Sequence, residues 1–204
     1  MRRIVCAFAV LAVATALVGS AAGATGLERY SVPGEGISLG VPVSWVVVDS
    51  RLSAGAVDRL LRENPKFAPF LQSLPSSTGP TRFIALDPKV HNGFATNINV
   101  VVDPLASSTT FSAYRRALGR EIRHIAVGAV ERKVVTIHGA RAVRVLYRFR
   151  LRLGGKAVTV QTLQYAFLRV GRSVVVTYTT LPALAGRYAR TFASSAAKIR
   201  LSDD

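Results

Sequence analysis

Residues 141–153 read RAVRVLYRFRLRL, and every odd position from Val143 to Leu153 is apolar, while Arg144, Arg148, Arg150 and Arg152 occupy even ones. A period of two is how a β-strand sorts one face from the other. The pattern has neighbours: strands are predicted at about 130–138, 141–153, 157–170 and 173–180. Between them lie glycine-bearing pairs, Gly139-Ala140, Gly154-Gly155 and Gly171-Arg172. Two-residue hairpin loops require a positive φ, which glycine adopts freely. The second half of the chain is therefore constrained to an antiparallel meander.

Taking Gly154-Gly155 as a loop sets Arg150 opposite Thr159, Arg148 opposite Gln161, Leu146 opposite Leu163 and Arg144 opposite Tyr165. On the reverse face Leu151 meets Val158 and Phe149 meets Val160. With Gly171-Arg172 as the next loop, Phe167 faces Val176 and Tyr165 faces Tyr178. The arginine face is polar only toward the hairpin tip and turns apolar around Leu146, Leu163, Tyr165, Phe167 and Val176. Both faces of such a sheet need covering.

Two amphipathic helices are available as covers. Over residues 109–125, Phe111, Tyr114, Leu118, Ile122 and Ile125 fall on one side, with Ser108 or Thr109 as N-cap, and Arg115, Arg116, Arg120 and Arg123 on the other. Over 182–199, Pro182 opens the helix, and Leu184, Tyr188, Phe192 and Ile199 share a side. Upstream, strands are expected at 36–40 and 44–48, on either side of a Pro42 break. A helical stretch carrying Val57, Leu60 and Leu61 is interrupted at Pro65 and resumes through Phe67, Phe70, Leu71 and Leu74. A loop at 74–81 precedes the strands TRFIALD and ATNINVVVD, closed by Asp87-Pro88 and Asp103-Pro104 turns. The fold class expected is α+β: an α/β/α sandwich with a central antiparallel sheet of about six strands, flanked by helices on both faces.

Residues 1–24 are read apart from this domain, which takes 25–204. Arg2 and Arg3, the apolar run IVCAFAVLAVATALV and the small residues GSAAGA form the three parts of a cleavable secretory signal. The run is about 15 residues, short of the ~20 needed to span a membrane; an uncleaved N-terminal anchor is the alternative. Cys6, the only cysteine, precedes the apolar core, so it cannot be the lipid-bearing cysteine of a lipoprotein. Without Arg2 and Arg3 the remaining domain holds 25 basic residues against 11 acidic ones, a charge of +14. It has no cysteine, hence neither disulfide nor thiol nucleophile, and its core alone must hold it. Arginine outnumbers lysine 22 to 5, a bias that a GC-rich genome produces without selection for binding.

The segments GISLGVPVSWVVV, GFATNINVVVD, FSAYRRAL, VTIHGARAVRVLYRF, TLQYAFLRVGRSVVVTYTT and RYARTFASSAAKIRL, in this order, resemble the PsbP-like superfamily. That superfamily includes the extrinsic PsbP subunit of photosystem II, LpqN-type exported bacterial lipoproteins and a eukaryotic Ran-binding import factor. The resemblance runs over about residues 28–201, and its most specific pieces are Asn97-Ile98-Asn99-Val100 and Gly139-Ala140-Arg141-Ala142. It implies an α/β/α sandwich and roles in binding or assembly rather than catalysis. It carries over no functional residue.

Candidate chemistry is thin. Ser195-Ala196-Ala197-Lys198 fits S-x-x-K, but the S-D-N and K-T-G companions of penicillin-recognising enzymes are absent. His91, His124 and His138 are not paired at helix or strand spacing with one another or with a carboxylate, so no metal or general-base site is assigned. YRFRLRL interleaves aromatics with arginine, but the RNP pattern is missing, and Tyr147 and Phe149 point away from the arginine face. No catalytic residue, cofactor or nucleic-acid partner is expected. The reading is a secreted, non-enzymatic binding or assembly module that docks to an envelope protein. The alternative is a peripheral binder of anionic lipid or wall polymer through Arg144, Arg148, Arg150 and Arg152 together with Arg115, Arg116, Arg120 and Arg123.

Overall fold

The computed structural model describes residues 26–49, 62–68 and 81–202. Residues 1–24, most of the helical stretch expected across 57–74, and the loop before Thr81 lie outside the described residues. Ten strands are present among those described: β1 (Leu27–Val32), β2 (Ile37–Pro42), β3 (Val46–Asp49), β4 (Thr81–His91), β5 (Phe94–Pro104), β6 (Glu131–Ile137), β7 (Ala140–Leu153), β8 (Lys156–Arg169), β9 (Arg172–Thr180) and β10 (Arg200–Leu201). Two α-helices are described along their whole length, α1 (Phe111–Ile125) and α2 (Ala185–Ala196). A larger antiparallel sheet runs β3-β4-β5-β9-β8-β7-β6, and a smaller one runs β1-β2-β10.

The meander forms as its periodicity dictates. Arg150–Thr159, Arg148–Gln161, Leu146–Leu163 and Arg144–Tyr165 are all cross-strand partners. The next hairpin differs. Its loop is Val170-Gly171, so Arg169 faces Arg172, Phe167 faces Val174, Tyr165 faces Val176 and Leu163 faces Tyr178. Gly171 takes the one positive φ of this turn, 73°. A slip of two residues leaves every side chain on its expected face. Likewise the β6–β7 turn is His138-Gly139 rather than Gly139-Ala140, with φ of 46° and 83°.

Three further expectations are corrected. The larger sheet has seven strands rather than about six, and a second, three-stranded sheet stands beside it. Asp87-Pro88 does not end its strand: β4 runs on to His91 through an irregularity between Leu86 and Val90. There Asp87 Oδ1 accepts from the Lys89 amide at 2.8 Å. A bulge tolerates Pro88 because the ladder needs no N–H at that point. The N-cap of α1 is Thr110, whose hydroxyl accepts from the Ala113 amide at 3.2 Å.

Two buried clusters flank the larger sheet. In one, Tyr114, Leu118 and Ile122 of α1 pack with Val143, Val145, Tyr147 and Phe149, the odd positions of β7. In the other, Tyr188, Phe192 and Ala196 of α2 pack with Tyr165, Phe167, Val176 and Tyr178, and with Leu39 and Val41 of β2. That second cover is thus a helix and a small sheet together. The even, arginine-bearing face of β7 lies on the α2 side.

Candidate binding face

Arg148, Arg150 and Arg152 project from alternate positions of β7 and are exposed. Arg148 Nε donates to Gln161 Oε1 across the hairpin at 3.2 Å. No ion pair engages any of the three among the described residues. Arg144, four residues back on the same face, is only 20% exposed and pairs with Glu131 of β6 at 2.7 Å. One end of the row is therefore electrically compensated and the other is open.

Arg115, Arg116, Arg120 and Arg123 are exposed on α1, which packs on the opposite face of the sheet. The structure thus splits the eight sequence-predicted arginines into two groups on opposite sides. Alternation along a strand and spacing along a helix each define a face, but neither says that the two faces adjoin. Arg116 is occupied locally, with Nη1 donating to Ser112 Oγ at 2.8 Å.

Beside the β7 row is a groove of about 330 Å³ between α2 and strands β7–β9. Leu146, Leu163 and Phe192 are among its apolar lining, Ala185, Ala189 and Ala193 form its helix wall, and Arg144, Gln161 and Thr180 supply polar edges. It exists because α2 lies over β9 and β2 rather than over β7, leaving Leu146 and Leu163 half-buried. Alanines at four-residue spacing present a single short wall toward the sheet. That spacing was legible in ALAGRYARTFA, but periodicity alone does not reveal where a helix stops covering a sheet.

The other chemical candidates resolve into structural roles. Ser195 is fully buried; its hydroxyl donates to the Gly40 carbonyl and meets Tyr178 Oη at 3.1 Å. Lys198 Nζ donates to the Leu27 carbonyl at 3.0 Å instead of approaching Ser195. The S-x-x-K match therefore pins the end of α2 to β1 and β2. His91 ends β4, His124 lies in the last turn of α1, and His138 Nε2 lies 2.7 Å from the Ala197 carbonyl. Among the described residues no three His, Cys, Asp or Glu side chains stand close enough to hold a metal ion. No described helix is long and apolar enough to cross a membrane. Tyr147 and Phe149 are buried on the side away from the arginines, as their alternation requires.

The chain superposes on LpqN of Mycobacterium tuberculosis, a protein involved in cell envelope biogenesis, with a TM-score of 0.55 and 12% identity over 87% of this chain and 91% of that one. The fold is the one seen in LpqN. The solution structure of cyanobacterial PsbP (CyanoP) from Synechocystis sp. PCC 6803 gives a TM-score of 0.49 and 14% identity over 91% of this chain and 98% of that one. At such identities the likeness concerns the fold alone. No protein-family model matches the chain, and no curated protein matches its sequence.

Proposed function

We propose that this chain is an exported, non-enzymatic binding or assembly module that acts at the cell envelope, with the even face of β7 as its docking surface. The observation that carries this is the row Arg148, Arg150, Arg152: exposed, without ion pairs among the described residues, and beside a partly open apolar strip. A solvated sheet face has no need of both features together. The secretory character of residues 1–24 and a fold shared with a protein of envelope biogenesis favour the extracytoplasmic setting.

The unpaired charge also favours a second reading, in which the docked material is anionic lipid or wall polymer rather than a protein. Electrostatic attachment of this kind weakens steeply with salt. Co-sedimentation with native envelope fragments and with anionic vesicles, across a salt series, tests both. Replacing all three arginines by serine is expected to abolish the low-salt binding. Full retention by that variant overturns the assignment of this face. A crosslinked protein captured through β7 decides for the first reading, and vesicle binding without one decides for the second.

A further inference from the structure

We propose that the groove between α2 and β7–β9 takes up the hydrocarbon chain of a single anionic amphiphile, whose head group is held by Arg148. This rests on the reading of the β7 face as the binding surface and goes further by naming the ligand class. The groove's volume of about 330 Å³ lies at the small end of ligand sites. A cavity of roughly 150 Å³ accepts benzene, so by proportion there is room for on the order of a dozen carbon atoms. The floor is apolar, Leu146 and Leu163, and the helix wall is Ala185, Ala189 and Ala193.

The charges give the ligand its polarity and direction. At the inner side Arg144 is neutralised by Glu131 at 2.7 Å. Beyond Leu146 in the other direction comes Arg148. Its Nε is held by Gln161, itself part of the groove edge, at 3.2 Å, and its terminal amino groups have no hydrogen-bond partner among the described residues. Arg150 follows on the same face, also unpaired among the described residues. A guanidinium fixed through one nitrogen presents the others in a planar fork suited to phosphate or carboxylate. An apolar trough whose Gln161 edge holds such a fork beside it is complementary to a chain with an anionic end.

Calorimetric titration of the purified protein with dodecyl phosphate, below its micelle concentration, tests this. Saturable one-to-one binding is expected, and inorganic phosphate alone is expected to give none. Ala189→Leu and Ala193→Leu, at exposed positions where the fold tolerates bulk, should each weaken binding at least tenfold while the melting temperature is retained. Arg148→Ser should weaken dodecyl phosphate about tenfold and leave dodecyl maltoside unchanged. Equal binding of the maltoside and the phosphate by the unmodified protein overturns the proposal. So does an affinity untouched by both leucine variants, or binding to anionic phosphatidylglycerol vesicles with none to the monomer. If envelope fragments still co-sediment through the arginine row while dodecyl phosphate fails, the groove proposal alone falls. If both fail, so does the reading beneath it.

Discussion

Tyr178 Oη and Ser195 Oγ meet at 3.1 Å in the contact between β9 and α2, both side chains fully enclosed. Ser195 spends its own proton on the Gly40 carbonyl, so one hydroxyl ties the larger sheet, the helix and the smaller sheet together. Burial pushes the Tyr178 phenol well above its ordinary pKa. Ser195→Ala leaves the buried phenol without that partner and is expected to cost about 1–3 kcal/mol in denaturant unfolding. The same geometry leaves Ser195 unreachable as a nucleophile. Intact-mass spectrometry after exposure to a penicillin should show no adduct, and a serine acyl adduct would refute the structural role.

Tyr188 supplies the second lock. Its hydroxyl donates to Asp87, and burial, reinforced by that carboxylate, pushes its pKa up to about 12 from an ordinary 10. The folded state therefore holds this proton more tightly than the unfolded chain does. Its contribution is complete below pH 10 and is lost progressively as the pH climbs from 10 toward 12. Chemical denaturation at stepped alkaline pH should show stability declining across that window. Tyr188→Phe should flatten the decline without removing it, since Tyr178 is shifted in the same direction. An unchanged slope in the variant would remove Tyr188 from the account.

What was legible in the sequence follows from which constraints are local. The β7–β8 register was readable because both Gly154 and Gly155 take positive φ, 51° and 80°, so the loop has one placement. The β8–β9 loop has a single glycine, and pairing it with Arg172 or with Val170 satisfies the same local rule; only the sheet decides. β1 went unread because LERYSV is mostly exposed or half-buried and owes its existence to pairing with β2. β10 is two residues long and pairs with Ser38 and Ile37 from far along the chain. The arginines of the candidate face were visible one by one. Their division between two sides of a sheet is a property of packing, as is the groove left where α2 falls short of β7.

Gly119 and Arg132 offer a case in which two small effects oppose each other. A Cβ on Gly119 would overlap Arg132 Nη1, which crosses α1 to reach the Arg115 carbonyl at 3.3 Å. Arg132 is exposed and its side chain is long, so the Gly119→Ala methyl displaces the guanidinium instead of straining the backbone. Alanine gains about 1 kcal/mol of helix propensity over glycine, while the displaced hydrogen bond returns about 0.5–1 kcal/mol. The single variant should be near neutral. In an Arg132→Ala background the same change should stabilise by about 1 kcal/mol, since nothing is displaced. A double-mutant cycle in urea reads this directly, and a coupling indistinguishable from zero would contradict the contact.

Gly171 and Gly186 should respond to the same substitution with opposite signs. Gly171 sits in the β8–β9 turn at φ 73°, a conformation that costs a residue with a Cβ roughly 1–2 kcal/mol. Gly186 lies in α2 without a positive φ, and a Cβ there would meet no heavy atom within 4 Å. Alanine at Gly186 removes unfolded-state freedom and adds helix propensity, for a gain of about 0.5–1 kcal/mol. Gly171→Ala is therefore expected to lower the melting temperature and Gly186→Ala to raise it. The pair tests the turn assignment with its own control. Were both to shift the same way, Gly171 would not be carrying the left-handed backbone that closes this hairpin.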